Sequence, residues 1–152
     1  MESQEIRIAI EEFIHLLEEG KNDKQANARA LEICLNRLAL AYHYADAELD
    51  CETDAPSENY DRLRQLASTR FPGFGYYNEP VSLTEDLGTS GLMAGDALDD
   101  IADIAGELYE VLWYWNNHCE GTALWQFRWG YENHWGAHLR SLQRYLYELL
   151  YR

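Results

Sequence analysis

The chain has 152 residues, with 12 Lys and Arg against 27 Asp and Glu, a formal net charge of −15. That length holds one domain able to bury about 70% of its unfolded surface, and that charge opposes phosphate backbones and anionic lipid, which are bound by basic patches. Direct nucleic-acid binding and membrane attachment are therefore not expected.

The N-terminus, Met1-Glu2-Ser3-Gln4-Glu5, is charged from the start, and no run of about 18 apolar residues follows it. Cys34, Cys51 and Cys119 are odd in number and widely spaced, without a CxxC pair. These features point to reduced thiols and a cytoplasmic protein.

Residues 5–19 place Ile6, Ile10, Phe13, Ile14 and Leu17 on one stripe at the helical period, closed by the Gly20-Lys21-Asn22-Asp23 cluster. A second helix is expected over residues 25–49, with Leu31, Cys34, Leu35, Leu38, Tyr42 and Ala45 on one face. Asp54 or Ser57 is placed to cap a third helix over 58–69, which Phe71-Pro72-Gly73 ends. Residues 71–89 show neither helical nor strand period and gather Phe71, Phe74, Tyr76 and Tyr77, which predicts a long aromatic-rich loop. A fourth helix is expected from Ser90 or Asp96 to Asn117, and a fifth from Thr122, its cap, to the C-terminus. The expected fold is all-α: residues 1–152 as a single bundle of four to five mostly antiparallel helices, with the loop laid across one end.

Charge is distributed unevenly. Between Arg70 and Arg128 there is no base, yet Glu79, Glu85, Asp86, Asp96, Asp99, Asp100, Asp103, Glu107, Glu110 and Glu120 all fall there. At about 100° per residue, Asp96, Asp99, Asp100, Asp103, Glu107 and Glu110 share one helix face, opposite Ile101, Ile104, Leu108, Val111 and Leu112. A solvated amphipathic helix accounts for this pattern, with Asp96 as its cap. Against that account, the pairs Asp96/Asp100, Asp99/Asp103 and Asp103/Glu107 are like-charge neighbours that cost about 0.2–0.5 kcal/mol each. Compensation would come from Arg128, Arg140 and Arg144 of the last helix, from a basic partner, or from a divalent cation.

On the last helix, His134 and His138 stand at i,i+4, a spacing from which two imidazoles can reach one metal. The HExxH glutamate is missing and His138 falls within the apolar stripe, so packed, hydrogen-bonded histidines are expected. Gly136, inside a helix, reads as a point of close approach to another helix. Tyr109, Trp113, Tyr114, Trp115, Trp125 and Trp129 are too many for one buried stripe, and some are expected to anchor the loop or rim a binding surface. No serine sits in a GxSxG elbow, and Cys34 falls on an apolar face where thiols are inert, so no catalytic nucleophile is assigned.

The block Asp99-Asp100-Ile101-Ala102-Asp103-Ile104, then Ala123-Leu124-Trp125 and Glu132-Asn133-His134-Trp135-Gly136, with Phe74-Gly75-Tyr76-Tyr77-Asn78 upstream, resembles a bacterial family, domain-of-unknown-function family 5063. The likeness is carried mainly by residues 71–152. It implies a small all-helical bacterial cytoplasmic protein and singles out Asp99, Asp100, Asp103, Glu132, Trp135 and Gly136, without supplying an activity or a cofactor.

Two functional readings follow. In the first, a non-enzymatic protein of the inhibitor or immunity kind docks a basic protein surface. Asp96, Asp99, Asp100, Asp103 and Glu107 form its acidic face, Tyr76, Tyr77 and Trp135 its aromatic contacts, and no cofactor is needed. In the second, Asp99, Asp100, Asp103 and Glu132 hold Mg²⁺ or Mn²⁺ in a hydrolase of a phosphorylated small molecule.

Overall fold

The computed structural model describes residues 1–47 and 53–152. Helices dominate: α1 (Ser3–Glu18), α2 (Lys24–Tyr44), α3 (Tyr60–Arg70), α4 (Ala97–Asn117), α5 (Glu120–Gly130) and α6 (Gly136–Tyr151). A π-turn, Tyr131–Trp135, joins α5 to α6 without leaving helical backbone, so the two run as one long interrupted helix. The expected all-α bundle is present, with one addition. Strands β1 (Tyr76–Pro80) and β2 (Leu92–Asp96) pair antiparallel, in the register Tyr76↔Asp96 to Pro80↔Leu92.

Helix α4 is the axis of the bundle and packs against α1, α3, α5 and α6. Its apolar stripe, Ile101, Ile104, Leu108 and Val111, is fully buried, together with Phe13, Leu35, Phe127, Trp135, Leu139 and Leu142 from the surrounding helices. Arg70, the last residue of α3, donates to the carbonyls of Leu17 (3.1 Å) and Glu18 (2.7 Å) and so satisfies the C-terminus of α1.

Several local expectations are corrected. Helix α2 stops at Tyr44 because Ala45 turns to extended backbone (φ −76°, ψ 109°) and its carbonyl accepts from Arg128 Nη1 at 3.2 Å; Leu49 and Cys51 lie outside the described residues. Neither Asp54 nor Ser57 caps α3. Asn59 does, accepting from Arg62 N at 3.2 Å. Helix α5 begins before Thr122, which is buried with its hydroxyl against Cys119 Sγ.

The stretch expected to be a loop is half hairpin. Phe71 and Phe74 are buried and stack at 5.1 Å, Gly75 N donates to the Tyr145 hydroxyl of α6, and the ladder continues through Val81 N to Gly91 O and Ala97 N to Gly75 O. Strands of five residues, one ending in Pro80 and the other containing Ala94 and Gly95, carry too little alternation to register as a period. No helix of the described residues is long and apolar enough to cross a membrane.

Candidate functional site

The hairpin delivers Asp96 to the start of α4 as its cap. The Asp96 carboxylate accepts from Leu98 N at 3.0 Å and Asp99 N at 3.5 Å, and Arg64 Nη2 of α3 donates to its other oxygen at 2.7 Å. Beyond the cap, Asp99, Asp100, Asp103 and Glu107 each meet a side chain of a neighbouring element, Asp100 buried and the other three half-buried. Asp99 accepts from the Tyr60 hydroxyl, and burial, with this bond second, pushes that phenol up to about 12. Asp100 is 4% exposed; its Oδ2 accepts from the Tyr77 hydroxyl at 2.5 Å and its Oδ1 lies 2.7 Å from His138 Nδ1. Asp103 Oδ2 lies 3.2 Å from His138 Nε2. Glu107 Oε1 lies 2.8 Å from His134 Nδ1.

Glycines make this convergence possible. A Cβ on Gly95 would stand 2.3 Å from the Tyr77 ring, so only glycine lets that ring lie across β2 and reach Asp100. A Cβ on Gly136 would stand 2.3 Å from the Tyr131 carbonyl oxygen, which accepts the Gly136 N–H five residues on. Gly136 therefore serves the π-turn of its own helix instead of admitting a neighbouring one. Such turns often mark functional sites. This one sends its side chains three ways: His134 to α4, Glu132 to α2, and Trp135 into the core.

The two imidazoles lie edge to face, 5.0 Å apart. Each presents Nδ1 to a carboxylate, which only accepts, so each Nδ1 carries the proton and each Nε2 is left for another partner. At His138 this creates a specific demand. Nε2 and Asp103 Oδ2, both lone-pair bearers, face each other at 3.2 Å, and a positive centre between them resolves the conflict. A proton can fill that role: the hydrogen bond to Asp100 raises the His138 pKa against the cost of burial, and burial, then the charge of Asp99, raises that of Asp103. A metal ion can fill it as well, because two ligands about 2.1 Å from one ion stand about 3.0–3.4 Å apart. Among the described residues, one ligand atom each from Asp103, His134 and His138, and one each from Asp99, Asp100 and His138, lie within 4.8 Å of one another.

The residues anticipated from sequence are thus brought together only in part. Asp99, Asp100, Asp103 and Glu107 converge, and Tyr77 joins them. Glu132 does not: its carboxylate accepts from Tyr42 at 2.6 Å and Arg128 at 3.4 Å, away from α4. Trp135 is fully buried and is no surface contact. Its Nε1 has no hydrogen-bond acceptor among the described residues, and it and Glu107 Oε2 both lie 2.9 Å from where a Cβ on Gly130 would stand. Tyr76 points outward from the hairpin, 75% exposed. The arginines do not compensate the acidic face: Arg128 serves Glu132 and Ala45, Arg140 serves Tyr131 and Gln143, and Arg144 lines a groove beside the hairpin. His134, His138 and Tyr60 take that role, and the i,i+4 histidine spacing was the sequence signal for it. Cys34 is buried, and burial raises its thiol to about 11, consistent with an inert side chain.

A family model described as domain of unknown function (DUF5063) matches residues 2–152, so the likeness carried by residues 71–152 extends over essentially the whole chain. Among solved structures, the crystal structure of protein BF1032 from Bacteroides fragilis is similar in fold, with a TM-score of 0.76 at 17% identity over 97% of this chain and 91% of that one. No curated protein matches. The acidic α4, the glycine-dependent π-turn and the hairpin that closes on them are therefore built on a chain that belongs to the DUF5063 family.

Proposed function

We propose that this is a divalent-metal-dependent protein of the hydrolytic kind, with the ion held by His134, His138 and Asp103 and the two rings oriented by Glu107 and Asp100. The observation that carries this reading is the pairing of each imidazole Nδ1 with a carboxylate, together with the 3.2 Å approach of His138 Nε2 to Asp103 Oδ2. Carboxylates that fix the tautomer and aim of a ligating histidine are a usual support of such sites. Two imidazoles favour Zn²⁺, Mn²⁺, Co²⁺ or Fe²⁺ over Mg²⁺, which prefers oxygen ligands throughout. A bound ion with three protein ligands and open positions supplies Lewis acidity and lowers the pKa of water to about 7. Asp99, grouped with Asp100 and His138, would serve as the nearby proton acceptor, and the Tyr77 hydroxyl holds the Asp100 carboxylate that orients His138.

The alternative of a free acidic face docking a basic surface has less support, because Asp96, Asp99, Asp100, Asp103 and Glu107 each already have a partner within the chain. Thermal unfolding of the chelator-treated protein tests the metal reading. Zn²⁺ or Mn²⁺ should raise the melting temperature by several degrees, and Mg²⁺ or matched monovalent salt should not. The rise should vanish in His138→Ala and in Asp103→Asn. An equal rise in those variants, or none in the parent, contradicts it.

A further inference from the structure

The hairpin beyond the metal cluster has the opposite anomaly, large apolar side chains held in water. Leu83 is 83% exposed, Leu87 80%, Val81 68% and Leu92 67%, more than solitary surface residues explain. The arm is not slack. Ser82 Oγ accepts from Thr84 N and Glu85 N, Ser90 Oγ accepts from Ser82 N, and Asp86, at φ 51°, accepts from Thr89 N to close the tip. Among the described residues, strands β1 and β2 pair only with each other, so each leaves an edge open. Between the arm and α6 runs a groove of about 1120 Å³, with Val81, Tyr145 and Leu149 as apolar walls, Leu83 of the arm beside them, and two bases, Arg140 and Arg144, alongside two acids, Glu79 and Glu148. Among the described residues neither arginine has an ion pair, in a chain of net charge −15.

We infer that the arm of one copy seats in the groove of a second, making an isologous dimer in which Leu83 and Leu87 enter the apolar walls and Glu85 and Asp86 meet Arg140 and Arg144. Charge complementarity selects this occupant: the tip is acidic, the groove's own acids are already bound, Glu79 by the Ser141 hydroxyl and Glu148 by Arg152, and the bases left without an ion pair among the described residues are the two arginines of the same chain. A small apolar ligand in the groove would leave Leu87 and Leu92 in water, whereas a second copy covers arm and groove together. Stable association needs about 1,600 Å² in total, and a two-fold arrangement counts every contact twice. The inference does not depend on the metal reading, since none of its residues is among the proposed ligands.

The test is the solution mass of the full chain by sedimentation equilibrium, from low to high micromolar concentration. Twice the monomer mass is expected. Leu83→Asp with Leu87→Asp should give a monomer that melts as the parent dimer does when diluted to monomer. Arg140→Glu with Arg144→Glu, and separately Glu85→Lys with Asp86→Lys, should each weaken dimerisation by roughly tenfold or more. An equimolar mixture of those two variants should restore it, because both contacts of the mixed dimer are again complementary. A parent chain that stays monomeric at high micromolar concentration overturns the proposal. So does a dimer indifferent to the leucine variants, or a mixture that fails to recover.

Discussion

The acids of α4 and those of the hairpin tip lie in the same base-free stretch and differ in what stands opposite them. Asp100 meets a tyrosine and a histidine and is almost wholly buried, and Asp103 and Glu107 each meet an imidazole. Glu85 and Asp86, at the end of a braced arm, meet no base in their own chain among the described residues. Equal formal charge therefore has unequal consequences: on α4 it organises the interior, and on the arm it is left for something outside. The lesson is that a run of like charge calls for a counter-charge, and only the three-dimensional neighbours show whether the chain supplies it.

That contrast can be broken by substitution. The largest effect is expected at Asp100→Ala, which strips the acceptor from both Tyr77 and His138 in a buried network and should cost about 2–4 kcal/mol in urea unfolding. Glu85→Ala, removal of a carboxylate at the tip without touching the positive-φ Asp86, should stay within about 0.5 kcal/mol in the monomer. Equal effects at the two positions would erase the distinction. Next comes Gly136→Ala, whose methyl meets the Tyr131 carbonyl; a loss of about 1–3 kcal/mol is expected, with the His134 ring resonances displaced because the π-turn must rearrange.

A smaller effect should follow pH. The His138 pKa lies above its ordinary 6.5, raised by Asp100. Its contribution to stability is therefore complete below about pH 6.5 and is lost as the pH rises through the raised value. Asp103 is raised too, by burial and then by Asp99, and its contribution falls in the same sense as the pH rises from its ordinary 3.8 through the raised value, so the comparison across neutral pH rests on His138. Chelator-treated protein should accordingly melt lower at about pH 8 than at about pH 6, and bound Zn²⁺ should reverse that slope because it needs the deprotonated ring. The smallest effect is expected at Asp103→Asn. Without metal it should be neutral or slightly stabilising, since it removes a charge that burial and Asp99 disfavour. A marked loss of stability there would show that Asp103 is only a structural partner of His138.

The helices were legible in the sequence because their apolar residues recur at the helical period over long stretches, and α4 was legible down to its Asp96 cap. The acidic face was legible as an angle on a wheel, but a wheel gives no neighbours. That Tyr60, Tyr77 and the two histidines cover this face is set by the packing of α3, the hairpin and α6 on α4. His138, expected as a packed, hydrogen-bonded residue from its place among Tyr131, Trp135 and Leu142 in projection, is half-buried and bonded to Asp100, but the wheel did not show that its second nitrogen faces Asp103. Glu132 was misplaced for the same reason, since the interrupted helix directs it to Tyr42. The hairpin was missed because two five-residue strands, with Pro80 at the end of one and Gly95 in the other, show too short a pattern to separate from a loop. Gly95 and Gly136 were visible as letters, but their use is a contact distance, which only the fold defines.

The central claim is that the conflict between His138 Nε2 and Asp103 Oδ2 is resolved by a metal ion. Anomalous diffraction at the Zn or Mn edge from crystals grown with the ion would test it most directly. A single anomalous peak shared by His134, His138 and Asp103, absent from His138→Ala crystals, is the expected result. No peak there, or a peak on Glu132 and its neighbours instead, would contradict the account and leave the cluster as a proton-bridged network.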